Sequence, residues 1–163
     1  METVSQSVSR VMSWLVFGLI LAGLGGAVAV QWWSDARIQA DPADVAQVAA
    51  GQVVYAQYCA ACHGDQLQGQ PDWKKRLPND RMPAPPHDES GHTWHHPDQV
   101  LFGIIRTGLA PPYAPDGYQS DMPAFGEHLS DAEIMAVLAY IKSHWPAKTQ
   151  AWQANKTQQY RDR

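Results

Sequence analysis

The chain has 163 residues, of which 45% are hydrophobic and 17% are charged, and its formal net charge is −4. A chain of this length holds one compact domain once an N-terminal apolar segment is set aside. The mild negative charge, without a long basic run, excludes a nucleic-acid-binding protein.

An apolar segment without charged residues covers residues 11–30. Its length matches the hydrocarbon thickness of a bilayer, and a tryptophan pair follows where amphipathic rings favour the membrane–water boundary. The alternative is a secretory signal peptide cleaved after Ala29, because small residues precede that position. We favour an uncleaved anchor, since the apolar segment is long and ends in the tryptophan pair. The predicted N-terminal organisation is a cytoplasmic N-terminus at 1–10, a transmembrane anchor at 11–33 and a linker at 34–42.

A helical pattern over about 43–58 leads into the only two cysteines of the chain, Cys59 and Cys62. Together with His63 they form the spacing Cys-x-x-Cys-His, which is the attachment motif of a c-type haem. In this motif both thiols bond to haem vinyl groups, and the histidine is the proximal ligand of the iron. A Cys-x-x-Cys redox pair is the alternative, but such a pair has no need of the adjoining histidine. The sequence therefore predicts one covalent haem c bound by these three residues.

Two loops and a short helix follow the haem motif. Prolines exclude a continuous helix over 64–97. A short helix is predicted from Pro97 to Gly108, because proline suits the first helical position and glycine ends a helix. A second loop, 111–123, is again rich in proline and glycine.

The last helix of the domain has the clearest boundaries. Ser130 and Glu133 form a capping box at its start, and Pro146 marks its exit. Gly51 lies inside the first helix, where glycine lowers stability, so we predict that the last helix crosses the first at this glycine. Residues 147–163 are a polar tail that forms either an exposed helix or a loosely ordered segment.

Residues 87–96 contain four histidines and two carboxylates. Imidazole and carboxylate groups suit zinc or copper, so a second metal site is one interpretation of this loop. We favour the other interpretation, in which the histidines donate to haem propionates or backbone carbonyls, because the segment lacks a regular ligand spacing.

From 43 to 146 the order of these features resembles the class I cytochromes c: a helix, Cys-Ala-Ala-Cys-His-Gly, loops, Met-Pro-Ala-Phe and a C-terminal helix. The resemblance implies an all-α cytochrome c fold, with three main helices and long loops around one haem. It also implies a distal methionine ligand just ahead of the last helix, at Met122. A thioether ligand raises the reduction potential, and Pro123 stiffens the backbone beside it. Met82 is the alternative ligand, but it precedes the middle helix.

The resemblance implies an electron-transfer protein and not an enzyme in its own right. Because covalent haem attachment is completed outside the bacterial cytoplasmic membrane, we expect 43–146 in the periplasm, anchored to the inner membrane by 11–33. The protein would pass single electrons between membrane redox complexes of a respiratory or photosynthetic chain. It would act either as a carrier or as a fixed haem subunit of a larger complex, and the short linker favours the subunit.

Two other functions stay open from the sequence. One is a haem enzyme or a protein that binds a gas or a sulfur compound, in which the distal Met122 leaves the iron. The other is copper handling by the histidines of 87–96.

Overall fold

The structure, a computed structural model, describes residues 39–163. Its elements in chain order are α1 (Val45–Tyr58), α2 (Ala60–His63), a 3₁₀ turn (Thr93–His95), α3 (Asp98–Thr107), α4 (Asp131–Ser143) and α5 (Ala147–Arg161). Within this part of the chain there is no strand, so the prediction of an all-α domain is confirmed for it.

The predicted N-terminus at 1–10 and the predicted anchor at 11–33 lie outside the described residues, as do residues 34–38 of the predicted linker. Among residues 39–163 no helix combines the length and the apolar character that a membrane crossing requires.

Helix α4 is the central element of the core. Its residues from Ile134 to Lys142 are all buried, and Ile134, Val137 and Ile141 pack in one cluster with Val54 and Tyr55 of α1. An uninterrupted buried run of this kind is expected for a helix that is covered on several sides.

Helices α1 and α4 cross at Gly51, as the sequence predicts. A Cβ atom on Gly51 would overlap the backbone carbonyl of Ala136 and lie 2.9 Å from the Cβ of Tyr140. Beside the crossing, the rings of Tyr55 and Tyr140 lie with their centroids 5.3 Å apart. Because the contact joins backbone to backbone, only glycine allows this approach.

The predicted helix boundaries agree with the structure to within three residues. Ser130 and Glu133 form the capping box of α4, with the Ser130 N–H donating to the Glu133 carboxylate at 2.8 Å. Gly108 ends α3 with a φ of 79°. Pro97 is the N-cap of α3, so this helix begins at Asp98, one residue later than predicted.

The polar tail forms α5, and buried hydrogen bonds hold that helix on the domain. Gln153 Nε2 donates to Asp98 Oδ1 at 2.7 Å, and the Asp98 N–H donates to Thr157 Oγ1 at 3.0 Å. Asp98 is also paired with Lys142 Nζ at 2.9 Å, and both side chains are buried. The packed domain therefore continues beyond Pro146 to the end of α5.

Candidate haem site

The Cys-x-x-Cys-His segment lies at the junction of α1 and α2. The Cys59 N–H donates to the carbonyl of Tyr55 at 2.9 Å, and the His63 N–H donates to the carbonyl of Cys59 at 2.9 Å. Both cysteines are free thiols, Cys59 half-buried and Cys62 exposed. Burial raises the pKa of the Cys59 thiol to about 11, with a smaller contribution from Cys62, so this thiol is neutral at ordinary pH.

His63 is buried, and its ring has one defined hydrogen-bond partner. Nδ1 lies 2.8 Å from the carbonyl oxygen of Pro85, and because a carbonyl only accepts, Nδ1 carries the hydrogen. Burial lowers the pKa of His63, and the bond to Pro85 partly offsets this. The neutral ring thus keeps the lone pair of Nε2 for a metal, with the orienting hydrogen bond on the other nitrogen that metal-binding histidines normally have.

The backbone that leaves the motif is also held in place. Gly64 has a φ of 80°, a conformation that glycine adopts without strain. The Tyr55 hydroxyl donates to the Gly64 carbonyl at 2.8 Å, and the Gly69 N–H donates to the His63 carbonyl at 2.8 Å. These bonds hold the backbone of residues 64–69 close to His63.

His87 stacks on His63, with ring centroids 3.9 Å apart and an interplanar angle of 21°. Its Nδ1 lies 2.8 Å from Thr93 Oγ1. The His87 carbonyl accepts a hydrogen bond from Trp145 Nε1 at 2.7 Å. Sequence reasoning grouped His87 with the other histidines of the 87–96 loop and missed this contact, because no local pattern shows that the loop returns to the haem motif.

Met122 is half-buried in the loop between α3 and α4. Two backbone bonds fix the stretch just after it: Phe125 N–H donates to the Ile105 carbonyl at 3.0 Å, and Gly126 N–H donates to the Arg106 carbonyl at 2.9 Å. The ring of Phe125 meets that of Tyr58 edge to face, with centroids 6.2 Å apart. Since Tyr58 directly precedes Cys59, this contact connects the Met122 segment with the haem motif.

A second contact joins the two methionine-bearing loops. Arg81 forms an ion pair with Asp121, so the residue before Met82 meets the residue before Met122. Met82, like Met122, is half-buried.

The remaining histidines of the 87–96 loop pack against aromatic rings. His92 stacks on Trp73 with centroids 5.4 Å apart, and His95 lies against Trp94 and Trp152 at 3.9 and 5.7 Å. Across 39–163 no group of three or more His, Cys, Asp or Glu side chains is arranged to hold a metal ion. The described structure therefore gives no support to a second metal site in this loop.

The sequence of this chain is similar to that of known proteins. Residues 46–141 match the family described as cytochrome c oxidase, cbb3-type, subunit III. The cbb3-type cytochrome c oxidase subunit CcoP of Azospirillum sp. (strain B510) is 31% identical over 99 residues, which are 61% of this chain and 29% of that protein. The chain thus spans less than a third of the length of this curated relative.

Among solved structures, the crystal structure of cytochrome cL from the marine methylotrophic bacterium Methylophaga aminisulfidivorans MPT is similar, with 22% identity and a TM-score of 0.45. That match covers 70% of this chain and 68% of the cytochrome cL chain.

The residues of the motif fit a covalent haem c. They include two thiols free of any disulfide, one of them exposed, and a neutral imidazole whose Nδ1 is already occupied by Pro85. Haem c is the cofactor of the c-type cytochromes in this family, so the predictions of a c-type cytochrome and of its covalent cofactor are confirmed. With more than half of its length matched, this chain belongs to the family of subunit III of the cbb3-type cytochrome c oxidases.

Proposed function

We propose that this protein is a haem subunit that passes single electrons into an oxidase complex. The match of 46–141 to the cbb3-type subunit III family carries the proposal, and the curated relative is itself an oxidase subunit by name. When bound, haem c supplies the one-electron exchange between ferric and ferrous iron. The residues of this chain hold the cofactor, orient its ligands and keep water away from it.

In this proposal Cys59 and Cys62 are the thioether positions and His63 is the proximal ligand, bound through Nε2. The Pro85 carbonyl, 2.8 Å from Nδ1, stops the imidazole from rotating and makes the other nitrogen a better donor. With both His63 and a methionine held by the protein, haem c would keep the same protein ligands in its ferric and ferrous states, which suits electron transfer more than substrate binding.

Met122 is the proposed distal ligand. The contact of Phe125 with Tyr58 and the backbone bonds from the Met122 segment to α3 support this choice over Met82. The order of the class I family, with the methionine just ahead of the last helix, supports it as well. A histidine–methionine pair raises the reduction potential relative to two histidines, which suits a protein that delivers electrons to an oxidase.

We further propose that 11–33 anchors the chain in a bacterial inner membrane and that the haem domain lies in the periplasm. Ala40 is already buried and its carbonyl accepts from Lys142 Nζ at 2.7 Å, so only residues 34–39 connect the domain with the proposed anchor. A linker this short favours a fixed subunit over a mobile shuttle, which would gain from a longer tether. The partners would be the other membrane subunits of the oxidase and the protein that donates electrons to them.

The test is the optical spectrum of the ferric, haem-loaded protein, in which a methionine sulfur on the iron gives a weak band at the near-infrared edge. We expect this band in the wild type and in Met82→Ala, and we expect it to be lost in Met122→Ala. A high-spin wild-type spectrum without the band would overturn the electron-transfer proposal in favour of a ligand-binding or peroxidatic site. If the band is lost in Met82→Ala but retained in Met122→Ala, Met82 is the distal ligand.

A further inference from the structure

The last described helix carries a basic surface that the proposed electron transfer does not use. Within 147–163 there are four basic residues and one acidic residue, in a chain whose formal net charge is −4. All of them are exposed: Lys148, Lys156, Arg161, Asp162 and Arg163.

Two aromatic residues share this surface with the lysines. Trp152 is 39% exposed and Tyr160 is 44% exposed. Together with Lys148 and Lys156 they recur every four residues, so each is a neighbour of the next along an exposed stripe that turns by about 120° around α5 from the first to the last. We call this stripe the α5 surface. All four of its side chains are exposed, whereas Gln153 and Thr157 on the same helix are buried.

The centre of the α5 surface is held firmly. The Trp152 ring meets the Trp94 ring edge to face with centroids 5.3 Å apart, and Lys156 Nζ lies 4.8 Å from the Trp152 centroid. Tryptophan rings that are partly exposed beside lysines are the composition that favours a membrane–water boundary. A pre-ordered Trp152 loses little side-chain entropy when such a surface is covered.

The N-terminal end of the described chain lies next to this helix. Lys142 Nζ donates to the Ala40 carbonyl at 2.7 Å and to Asp98 Oδ2 at 2.9 Å, and Asp98 Oδ1 accepts from Gln153 Nε2 at 2.7 Å. Three short hydrogen bonds therefore connect Ala40 with the residue beside Trp152.

The chain between the apolar segment and Ala40 is short. Only residues 34–39 separate Ala40 from Trp33, and a fully extended chain of that length reaches at most about 25 Å. If 11–33 spans a bilayer, Ala40 therefore lies within about 25 Å of the end of that span.

The Met122 segment lies at the other end of α3. The α5 contacts involve Asp98, the first residue of α3, whereas the Met122 segment bonds to Ile105 and Arg106 near its last residue. A ten-residue helix is about 15 Å long, so a lipid surface against α5 would leave the Met122 segment free for a redox partner.

From these observations we propose that the α5 surface rests on the anionic phospholipid headgroups of the bilayer that anchors the chain. The inference depends on the membrane anchorage stated under the proposed function, and it adds which face of the haem domain meets the lipid. Lysines separated by several residues can each pair with a different lipid phosphate group. The tryptophan and tyrosine rings suit the interfacial zone just below the phosphates.

The experiment uses the full haem-loaded chain in nanodiscs of zwitterionic phosphatidylcholine, with or without anionic phosphatidylglycerol, and measures amide hydrogen exchange in α5. We expect slower exchange in α5, but not in α4, when anionic lipid is present, and loss of this effect at high salt. Each basic side chain near an anionic surface contributes about fivefold to binding. The variant Lys148→Gln/Lys156→Gln should therefore weaken docking about 25-fold.

The matched control is Lys74→Gln/Lys75→Gln, which removes the same charge from an exposed loop and should leave the α5 effect intact. Equal α5 exchange in both lipids, or protection only when other oxidase subunits are added, would overturn the proposal. If the chain does not enter the nanodiscs, the proposal of a membrane anchor at 11–33 is wrong. Amide hydrogen exchange with added anionic vesicles then decides whether α5 binds lipid by itself. The optical spectrum of each sample reports separately on the haem site.

Discussion

His63 and His87 form a parallel ring stack, with centroids 3.9 Å apart and planes inclined by 21°. One histidine is the proposed proximal ligand, and the other comes from a loop that begins more than twenty residues later in the chain. The Pro85 carbonyl holds the His63 ring at Nδ1, and His87 covers its face. One short stretch, Pro85 to His87, thus folds back on the Cys-x-x-Cys-His segment and contacts the His63 ring at one edge and on one face.

Replacing His87 by leucine tests the stack. His87→Leu introduces an apolar side chain of similar size and removes the aromatic face and the contact with Thr93 Oγ1. We expect the free energy of unfolding to fall by about 1 kcal/mol, the usual contribution of an aromatic pair, in denaturant unfolding of the haem-loaded protein. His128→Leu, at an exposed position, is the control, and an equal loss there would mean that the stack contributes nothing.

Gly51→Ala tests the crossing of α1 and α4. In an exposed helix this change would stabilise by about 1 kcal/mol, but here the added methyl would overlap the Ala136 carbonyl. We therefore expect a net loss of about 1–3 kcal/mol, typical of an overpacked core, measured by denaturant unfolding.

The neighbouring Ala50→Gly is the matched control for Gly51→Ala. Ala50 is exposed on the same helix, so its replacement should cost only the intrinsic preference of the helix for alanine, about 1 kcal/mol. If Gly51→Ala stabilised the protein instead, the close backbone contact would be contradicted.

Lys142→Met tests the buried ion pair under α5. The substitution leaves the Asp98 carboxylate buried without its cation, so we expect a loss of about 3–5 kcal/mol. Adding Asp98→Asn to the same chain should restore part of that loss, because the uncompensated charge is removed. Denaturant unfolding of both single variants and the double variant gives the coupling free energy between Lys142 and Asp98 directly.

The exposed pair of Lys75 and Asp72, with side chains 77% and 71% accessible, is the comparison for the buried pair. Lys75→Met should cost less than about 1 kcal/mol. Similar losses at Lys75 and Lys142 would show that burial does not strengthen the inner pair.

The half-buried His96 predicts a pH dependence of stability. Partial burial, and secondly the nearby charge of His95, lower the pKa of His96 below 6.5. The unfolded chain then binds more protons than the folded one below that pH, so the contribution of His96 is complete above pH 6.5 and is lost as the pH falls through and below this value.

We therefore expect the free energy of unfolding to decline between pH 7 and pH 5, and to decline less steeply in His96→Phe. Phenylalanine keeps a ring that can pack edge to face with His92, whose centroid is 5.7 Å away. An unchanged pH slope in this variant would contradict the lowered pKa.

Several features of the fold could be predicted from local sequence. The capping box of Ser130 and Glu133 and the glycine stop at Gly108 act on backbone groups within four residues, so their chemistry is visible in the chain itself. Gly51 pointed correctly to a helix crossing, because a glycine inside a helix normally has a packing reason.

The sequence by itself determined the haem c, because the two cysteines and the histidine form a covalent motif whose spacing is complete within five residues. Only the tertiary structure decided how that motif is supported. The Nδ1 hydrogen bond to Pro85, the stack with His87 and the attachment of α5 through Asp98, Lys142 and Gln153 all join residues more than twenty positions apart. Such contacts depend on the path of irregular loops and on the pairing of buried polar groups, and neither leaves a periodic signal in the sequence.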